Sequence, residues 1–481
     1  MTSQLPIRVR FAPSPTGMMH LGNVRAVVMN YLFAKQKHGT FILRIEDTDQ
    51  QRNVDAYVTG ILDDILWLKL DYDEGPIKGG HYEPYFQSQR TSIYQEKLTV
   101  LQHRELVYRC FCTAEELDKK RQRQIALKQP PRYDRTCLHL SKEQIQLNLD
   151  AHTPFIWRFQ LPEGTIQIHD MSRGTITFDM KNFSDFALTR QDGSFTFIFA
   201  NFVDDVAMVI SHVIRGEDHL TNTAVQAALY QTFNVPLPVF WHLPIICNAQ
   251  GQKLSKRDFG FSLNDLRNAG YLPEAICNYL AIIGGGSFEH EIMPLEELVK
   301  AMQFDSLSAT GQVRYDIEKL RWLNHKWIEK LDLTDLTKRC LPFLQTRYLN
   351  QAFDEKQVAT LLKSLRTDLT TLADAADALQ FYFMAPEVDN VQLQETIPAE
   401  CITPLKEITR ANVALIASES AAQFVERMKQ DAQKQNIHSK YLFWFIRLAL
   451  TGKAHGPAVY ELIDMIGVSE SIKRIEKIVA Q

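Results

Sequence analysis

Near the start of the chain the hydrophobic repeat changes from every second residue to every third or fourth. Ile7, Val9 and Phe11 alternate with Arg8 and Arg10, the pattern of a strand, and Pro13, Pro15 and Gly17 stop that strand abruptly. Over residues 21–38 apolar side chains recur at helical spacing, with Gly39 placed to end the run. Strand, turn, helix is the predicted order. Residues 41–45 read as a second strand, Ile61, Leu62, Ile65, Leu66 and Leu68 share a helix, and residues 90–106 form another. Aromatic and β-branched runs at 155–159 and 175–180 predict further strands, and the sheet is expected to resume at Phe195, in Phe-Thr-Phe-Ile-Phe-Ala-Asn-Phe-Val-Asp-Asp. Beyond Asp258 the pattern is mainly helical. Gly284-Gly285-Gly286 reads as a loop, since no helix-borne Lys-Ser or Lys-Thr follows to make it a phosphate cradle. From about residue 325 to the end, apolar residues recur at helical spacing with breaks near Ala385-Pro386, Ile397-Pro398 and residues 452–457, so the last third is expected to be all-helical.

A chain of 481 residues exceeds what one hydrophobic core serves, which predicts two or more domains. Its 53 basic and 57 acidic residues leave a net charge of -4, so any contact with nucleic acid must come from local basic patches. No run approaches eighteen apolar residues and residues 1–6 do not read as a signal peptide, which places the protein in the cytoplasm with no membrane partner. Seven cysteines, an odd count at mostly wide spacing, argue for reduced thiols or a metal site over a disulfide framework.

Candidate chemistry gathers where the first strand meets the first helix. The unpaired amides and positive dipole of a helix start favour phosphate, His20 adds a donor, and Gly22 leaves room for a base or sugar to approach the backbone. A cap or surface role for His20 is the plainer reading of that tetrapeptide alone. Far downstream, Lys253-Leu254-Ser255-Lys256-Arg257 offers two lysines and a serine to a polyphosphate. Neither a GxGxxG nor a Walker A sequence is present, against dinucleotide-binding and P-loop chemistry. Glu46 is the first carboxylate beyond the second strand, at the edge where ligands bind in open parallel sheets; Asp47 and Asp49 are read as caps for the next helix. Cys110, Cys112, Cys137 and His139 form a C-x-C and a C-x-H pair 24 residues apart, a ligand set for tetrahedral structural zinc, with Tyr133 as a substitute for His139. Lys119, Lys120, Arg121, Arg123, Lys128 and Arg132 lie between the pairs with no acidic residue among them, either a solvated face or a phosphate-binding one.

His20-Leu21-Gly22-Asn23 and Lys253-Leu254-Ser255-Lys256-Arg257 together resemble the two signatures of class I aminoacyl-tRNA synthetases, His-Ile-Gly-His and Lys-Met-Ser-Lys-Ser. The segments at 12–17, 44–49 and 213–219 are similar to bacterial glutamyl-tRNA synthetases, in order and over nearly the whole length. That resemblance implies an α/β fold: a Rossmann-like class I catalytic domain in two halves (1–90 and 197–258), split by an α+β acceptor-stem insertion (91–196), then a stem-contact domain (259–325) and an all-α anticodon-binding region (326–481). It implies a monomer that converts L-glutamate and ATP with Mg2+ to glutamyl-adenylate and loads tRNA(Glu). In it His20, Lys253 and Lys256 would be catalytic, and Gly22, Asn23, Ser255 and Lys256 would hold ATP. Arg10, Ala12, Ser14, Glu46, Phe197, Asn201 and Arg215 would hold glutamate, Glu46 at its amino group and Arg215 at its side-chain carboxylate; a structural ion pair of Arg215 with Glu217 or Asp218 is the plainer alternative. Phe197 departs from the family's usual Tyr, and Asn23, Leu254 and Arg257 depart from the general class signatures. The alternative within the family glutamylates tRNA(Gln). A glutaminyl enzyme is disfavoured, because that family typically ends in β-barrels.

Overall fold

The computed structural model describes residues 6–49, 55–283, 288–306, 311–349 and 354–481; the Gly284-Gly285-Gly286 stretch lies outside them. The chain divides into two compact units, Met1–Leu266 with Pro273–Lys319, and Arg267–Leu272 with Leu320–Gln481. The first unit opens with β1 (Arg8–Phe11), α1 (Leu21–Gln36), β2 (Thr40–Leu43), α2 (Asp55–Trp67) and α3 (Thr91–His103). Next come β3 (Val107–Cys110), α4 (Ala114–Ala126), α5 (Lys142–Asp150), β4 (Ile156–Phe159), β5 (Thr165–Asp170), β6 (Gly174–Asp179) and β7 (Phe186–Ala187). It continues with α6 (Phe197–Ala207), β8 (His212–Gly216), α7 (Leu220–Thr232) and β9 (Val239–Leu243).

Strands β1 and β2 pair in parallel, as do β8 and β9, while β5 joins β9 in parallel at Asp170 opposite Phe240 and carries β6 antiparallel on its far side. The Ser211 amide donates to the Arg8 carbonyl at 3.0 Å, bringing β1 beside β8 and giving the order β2, β1, β8, β9, β5, β6. Helical crossovers such as α1 and α7 cover such a sheet, and its central strands β1, β8 and β9 are buried along almost their whole length, the arginines of β1 and β8 included. Helix α1 shows the same logic: Leu21, Val24, Val27, Val28, Met29, Leu32 and Phe33 are all buried, so it packs on most of its sides. It ends at Gln36, and His38 takes the left-handed turn at φ 51°. Gly39 serves a close approach, since a Cβ there would lie 2.6 Å from the Ile7 carbonyl oxygen.

One predicted element fails in this unit. The stretch from Phe197 is helix α6, not a strand resuming the sheet. Phe199, Ala200, Phe202 and Val203 are all buried, so the helix hides more than one face; its dense aromatic run has the look of a strand because burial on several sides erases the helical spacing. The sheet resumes at β8.

Between the two halves, β3, β4 and β7 form a separate antiparallel sheet, flanked in sequence by α4 and α5. No side chain of α4 is buried. The second unit has no strand among its described residues; its helices include Leu333–Arg347, Ala399–Asn412, Ala421–Lys434, Ser439–Thr451 and Val468–Ala480, with breaks at the predicted Pro386, Pro398 and 452–457 positions. Among the described residues no helix is long and apolar enough to cross a membrane.

Candidate active site

The carboxyl ends of β1, β2 and β8, with α6 across them, assemble a buried cluster of charge. Arg10 grips Asp205 through Nε and Nη2 at 3.1–3.3 Å. Arg44, fully buried, reaches Asp205 at 2.8 Å and Glu46 at 2.9 Å. Burial opposes its charge, but Asp205, Glu46 and Asp204 outweigh that and raise its pKa. Asp204 in turn accepts from Arg90 (2.6 Å), Gln87 (2.8 Å) and the Tyr94 hydroxyl (2.8 Å). Glu46 accepts from Asn201 at 2.6 Å; burial raises its pKa despite Arg44 and Arg10. Asp205 moves the other way, held low against burial by Arg10 and Arg44.

Arg215 is the exception. Its Nη2 donates at 2.8 Å to two neutral oxygens, Thr223 Oγ1 and Gln226 Oε1, and its Nε, buried, has no acceptor. The anticipated ion pair with Glu217 or Asp218 is absent, because Glu217 pairs with Arg173 and Asp218 with Lys253. Desolvation, reinforced by Arg10, pulls the Arg215 pKa down to about 10. The guanidiniums of Arg10, Arg44, Arg90 and Arg215 thus face the carboxylates of Glu46, Asp204 and Asp205, one positive charge in excess, and the excess sits at Arg215. A buried, neutrally solvated guanidinium is costly unless an anion completes it.

Beside this cluster lies the start of α1. His20 caps the helix: its Nδ1 accepts the Asn23 amide at 3.3 Å and the Asn23 side chain accepts the His20 amide at 3.3 Å. Gly22 is required by that ring, since a Cβ would lie 2.9 Å from His20 Cε1. The Leu21 amide is taken by the Phe261 carbonyl at 2.9 Å, so among the described residues the Gly22 amide is the one in this first turn without a protein acceptor. Burial and nearby Lys253 lower the His20 pKa. The downstream loop reaches the same place: Leu254 is buried, its amide bonded to Ile246 at 3.0 Å, and Ser255 is turned by Asp258 (2.8 and 2.9 Å). Lys253 pairs with Asp218 at 3.1 Å, and Lys256 is exposed. Ser14 is exposed and Ala12 half-buried in the turn after β1; Phe197, at the start of α6, lies 5.7 Å from His219 ring to ring. Asp47 is not a cap for α2, for its carboxylate accepts the amide and hydroxyl of Ser88 at 2.8 and 2.6 Å.

Residues 6–322 match the family described as "tRNA synthetases class I (E and Q), catalytic domain", and residues 335–479 match "Anticodon binding domain". The glutamate-tRNA ligase of Moorella thermoacetica is 37% identical, covering 98% of this chain and 97% of its own, and that of Bacillus pumilus is 36% identical over 98% and 99%. The chain belongs to the glutamate-tRNA ligases, class I aminoacyl-tRNA synthetases. A crystal structure of a glutamate tRNA ligase from Elizabethkingia meningosepticum in complex with its amino acid superposes with a TM-score of 0.87 at 32% identity, over 99% of this chain and 100% of that one.

Elsewhere in the synthetase, the predicted thiol cluster forms, with a change of fourth member. The sulfurs of Cys110, Cys112 and Cys137 lie within 4.8 Å of one another. His139 is not among them: it stands exposed at the end of a short 3-10 turn, two residues past the buried Cys137. Tyr133 takes that corner, its hydroxyl 3.3 Å from Cys110 Sγ, 3.8 Å from Cys112 Sγ and accepting the Cys137 amide at 3.1 Å. Burial and the neighbouring thiols push Cys112 up to about 12, while hydrogen bonds from Tyr133 and Arg158 outweigh burial and lower Cys110. In the second unit, Arg447 Nε donates to the Pro457 carbonyl at 2.9 Å, which ties the helix Ser439–Thr451 to the break at 452–457 that follows it.

Proposed function

We propose that this synthetase activates L-glutamate with ATP and transfers it to the 3' end of tRNA(Glu), as a cytoplasmic monomer. The observation that carries the amino-acid assignment is the excess buried positive charge at Arg215. The side-chain carboxylate of glutamate supplies the missing anion, whereas a glutamine amide leaves the guanidinium unpaired, a difference on the order of 2–3 kcal/mol. Glu46, held between Arg44 and Asn201, receives the amino group. Arg10, Ala12, Ser14 and Phe197 close around the same substrate; with Phe at 197, shape is kept without the hydroxyl that the family's usual Tyr supplies there.

The glutamate α-carboxylate attacks the α-phosphate of ATP in line, so no protein nucleophile is needed; orientation and stabilisation of charge suffice. The Gly22 amide, Asn23 and His20 line the phosphate side at the helix start, and Ser255, Lys253 and Lys256 approach from the loop, cations placed where negative charge builds on the leaving pyrophosphate. Mg2+ accompanies ATP. Cys110, Cys112 and Cys137 with Tyr133 suit a structural zinc, because thiolates in close array need a cation to offset their mutual repulsion. Residues 91–196 would then grip the acceptor stem, with the exposed basic face of α4, while 259–325 touch the stem below it and 326–481 read the anticodon.

Glutamate-dependent exchange of pyrophosphate into ATP tests the reading in three lanes: without tRNA, with tRNA(Glu) and with tRNA(Gln). Exchange with tRNA(Glu) alone supports it. Exchange with both tRNAs points to the form that also glutamylates tRNA(Gln), and exchange in no lane overturns the assignment.

A further inference from the structure

The two hydrogens of Arg215 Nη2 each begin a chain of buried hydrogen bonds that ends on a carboxylate. One runs through Gln226, whose Nε2 donates to Asn201 Oδ1 at 2.9 Å, and on to Glu46, which belongs to the substrate site already described. The other leaves that site. Thr223 Oγ1 accepts from Arg215 at 2.8 Å and lies 2.7 Å from His242 Nε2; His242 Nδ1 lies 2.7 Å from Asp170 Oδ2. Thr223, His242 and Asp170 are all fully buried.

Chemistry fixes the direction of this second chain. The Asp170 carboxylate can only accept, so the imidazole proton sits on Nδ1, and burial keeps the ring neutral by lowering its pKa. Nε2 is then an acceptor; of the two acceptors in reach of the single Thr223 hydroxyl hydrogen, the His219 carbonyl at 3.2 Å and Nε2 at 2.7 Å, the nearer Nε2 takes it, and the oxygen turns its lone pair to Arg215. Every donor points from Arg215 towards Asp170. Asp170 is itself anchored, for its Oδ1 accepts the amides of Ser172 and Arg173 at 3.0 Å, and Arg173 pairs with Glu217.

We propose that Thr223, His242 and Asp170 are positioning residues for glutamate recognition: they orient Arg215 so that its remaining hydrogens face the substrate carboxylate. This rests on the assignment of Arg215 to that carboxylate. None of the three touches a substrate, and each neighbouring bond in the chain polarises the next in a low-dielectric interior. Asp170 ends β5, a strand of the main sheet paired with β9, so the chain ties Arg215 to the sheet two strands away.

Three variants test this in the full-length protein by steady-state glutamylation of tRNA(Glu). Thr223→Val removes the hydroxyl at constant shape and is expected to raise KM for glutamate about tenfold, the effect of one lost hydrogen bond to a charged donor, leaving kcat and KM for ATP within about twofold. Thr223→Ser is expected to restore the glutamate KM, and nitrogen NMR is expected to show His242 Nε2 losing its hydrogen-bonded shift in Thr223→Val alone. Arg215→Gln separates the two levels of the argument. If it raises the glutamate KM and Thr223→Val does not, the positioning chain is wrong and the site stands; if Arg215→Gln leaves the glutamate KM unchanged, the site assignment itself fails. Equal weakening of glutamate and ATP by Thr223→Val, with a lowered Tm, also overturns the proposal, since a merely structural residue would behave so.

Discussion

At Gly22 a missing side chain lets another residue work. His20 folds back over its own helix start, and the space a Cβ would occupy is held by its Cε1 at 2.9 Å and Nδ1 at 3.0 Å. Gly22→Ala is therefore expected to push the imidazole off the Asn23 amide. Loss of that cap costs about 1 kcal/mol of stability, but displacing His20 from the phosphates is the larger effect, about 100-fold in the exchange rate, because positioning on the scale of an ångström governs such steps. Exchange kinetics beside thermal melts measure both, and a variant that melts lower while exchanging at the normal rate would show His20 to be only a cap. In the sequence Gly22 reads as room for a base or sugar to approach the backbone; the structure adds a second demand on the same space, the ring of His20 two residues away, and a lone tetrapeptide does not reveal which way a side chain turns.

At the scale of elements, two loops carry the exposed chemistry and each has its own test. The turn at 253–258 is tied down by Leu254 and by Ser255 on Asp258, and Lys253 pairs with Asp218, which leaves Lys256 and Arg257 as its exposed cations without an ion-pair partner among the described residues. Lys256→Ala is expected to slow exchange about 100- to 1000-fold and to leave tRNA binding within about twofold; equal loss of both would indicate misfolding. In the insertion, Cys112→Ser is expected to abolish one bound zinc per chain and to expose the basic segment at 119–132 to protease, whereas His139→Ala should leave metal content unchanged. Metal analysis decides it, and zinc lost equally from the His139 variant would restore the C-x-H reading. Elements with one clean period were legible beforehand: β1 and the C-terminal helices follow directly from spacing, and α1, buried on most of its sides, from its length between the Pro-Gly turn and Gly39. Helix α6 was not, and its misreading hid Asp204 and Asp205, the carboxylates that organise the site. Arg10 and Arg44 meet Asp205 across 195 and 161 residues of sequence, a pairing no local pattern encodes. The available signal was two adjacent aspartates in an otherwise apolar run, which must be paired if that run is buried.

Over the first unit as a whole, charge buried at the site sets how stability depends on pH. His212 and His219 are pulled down to about 4, chiefly by burial, with Lys37 acting on the first and Arg215 on the second; His20 and His242 are lowered for the same main reason. Below the unfolded value of 6.5 the unfolded chain takes up protons that the folded one refuses, so stability is complete above that pH and falls as pH drops towards 4. Asp170, Asp205, Asp218 and Glu74, lowered against burial by their partners, add a further loss below the ordinary carboxylate range. Glu46, raised by burial, acts in the opposite sense and softens the first part of that decline. The expected melting curve against pH therefore bends downward first near 6.5, in the histidine window, and again below about 4. His212→Gln should flatten the first bend without moving the second, because it removes one group that titrates only in the unfolded chain over that interval. A Tm constant between pH 7 and 4.5 would mean that these imidazoles gain compensating partners on protonation.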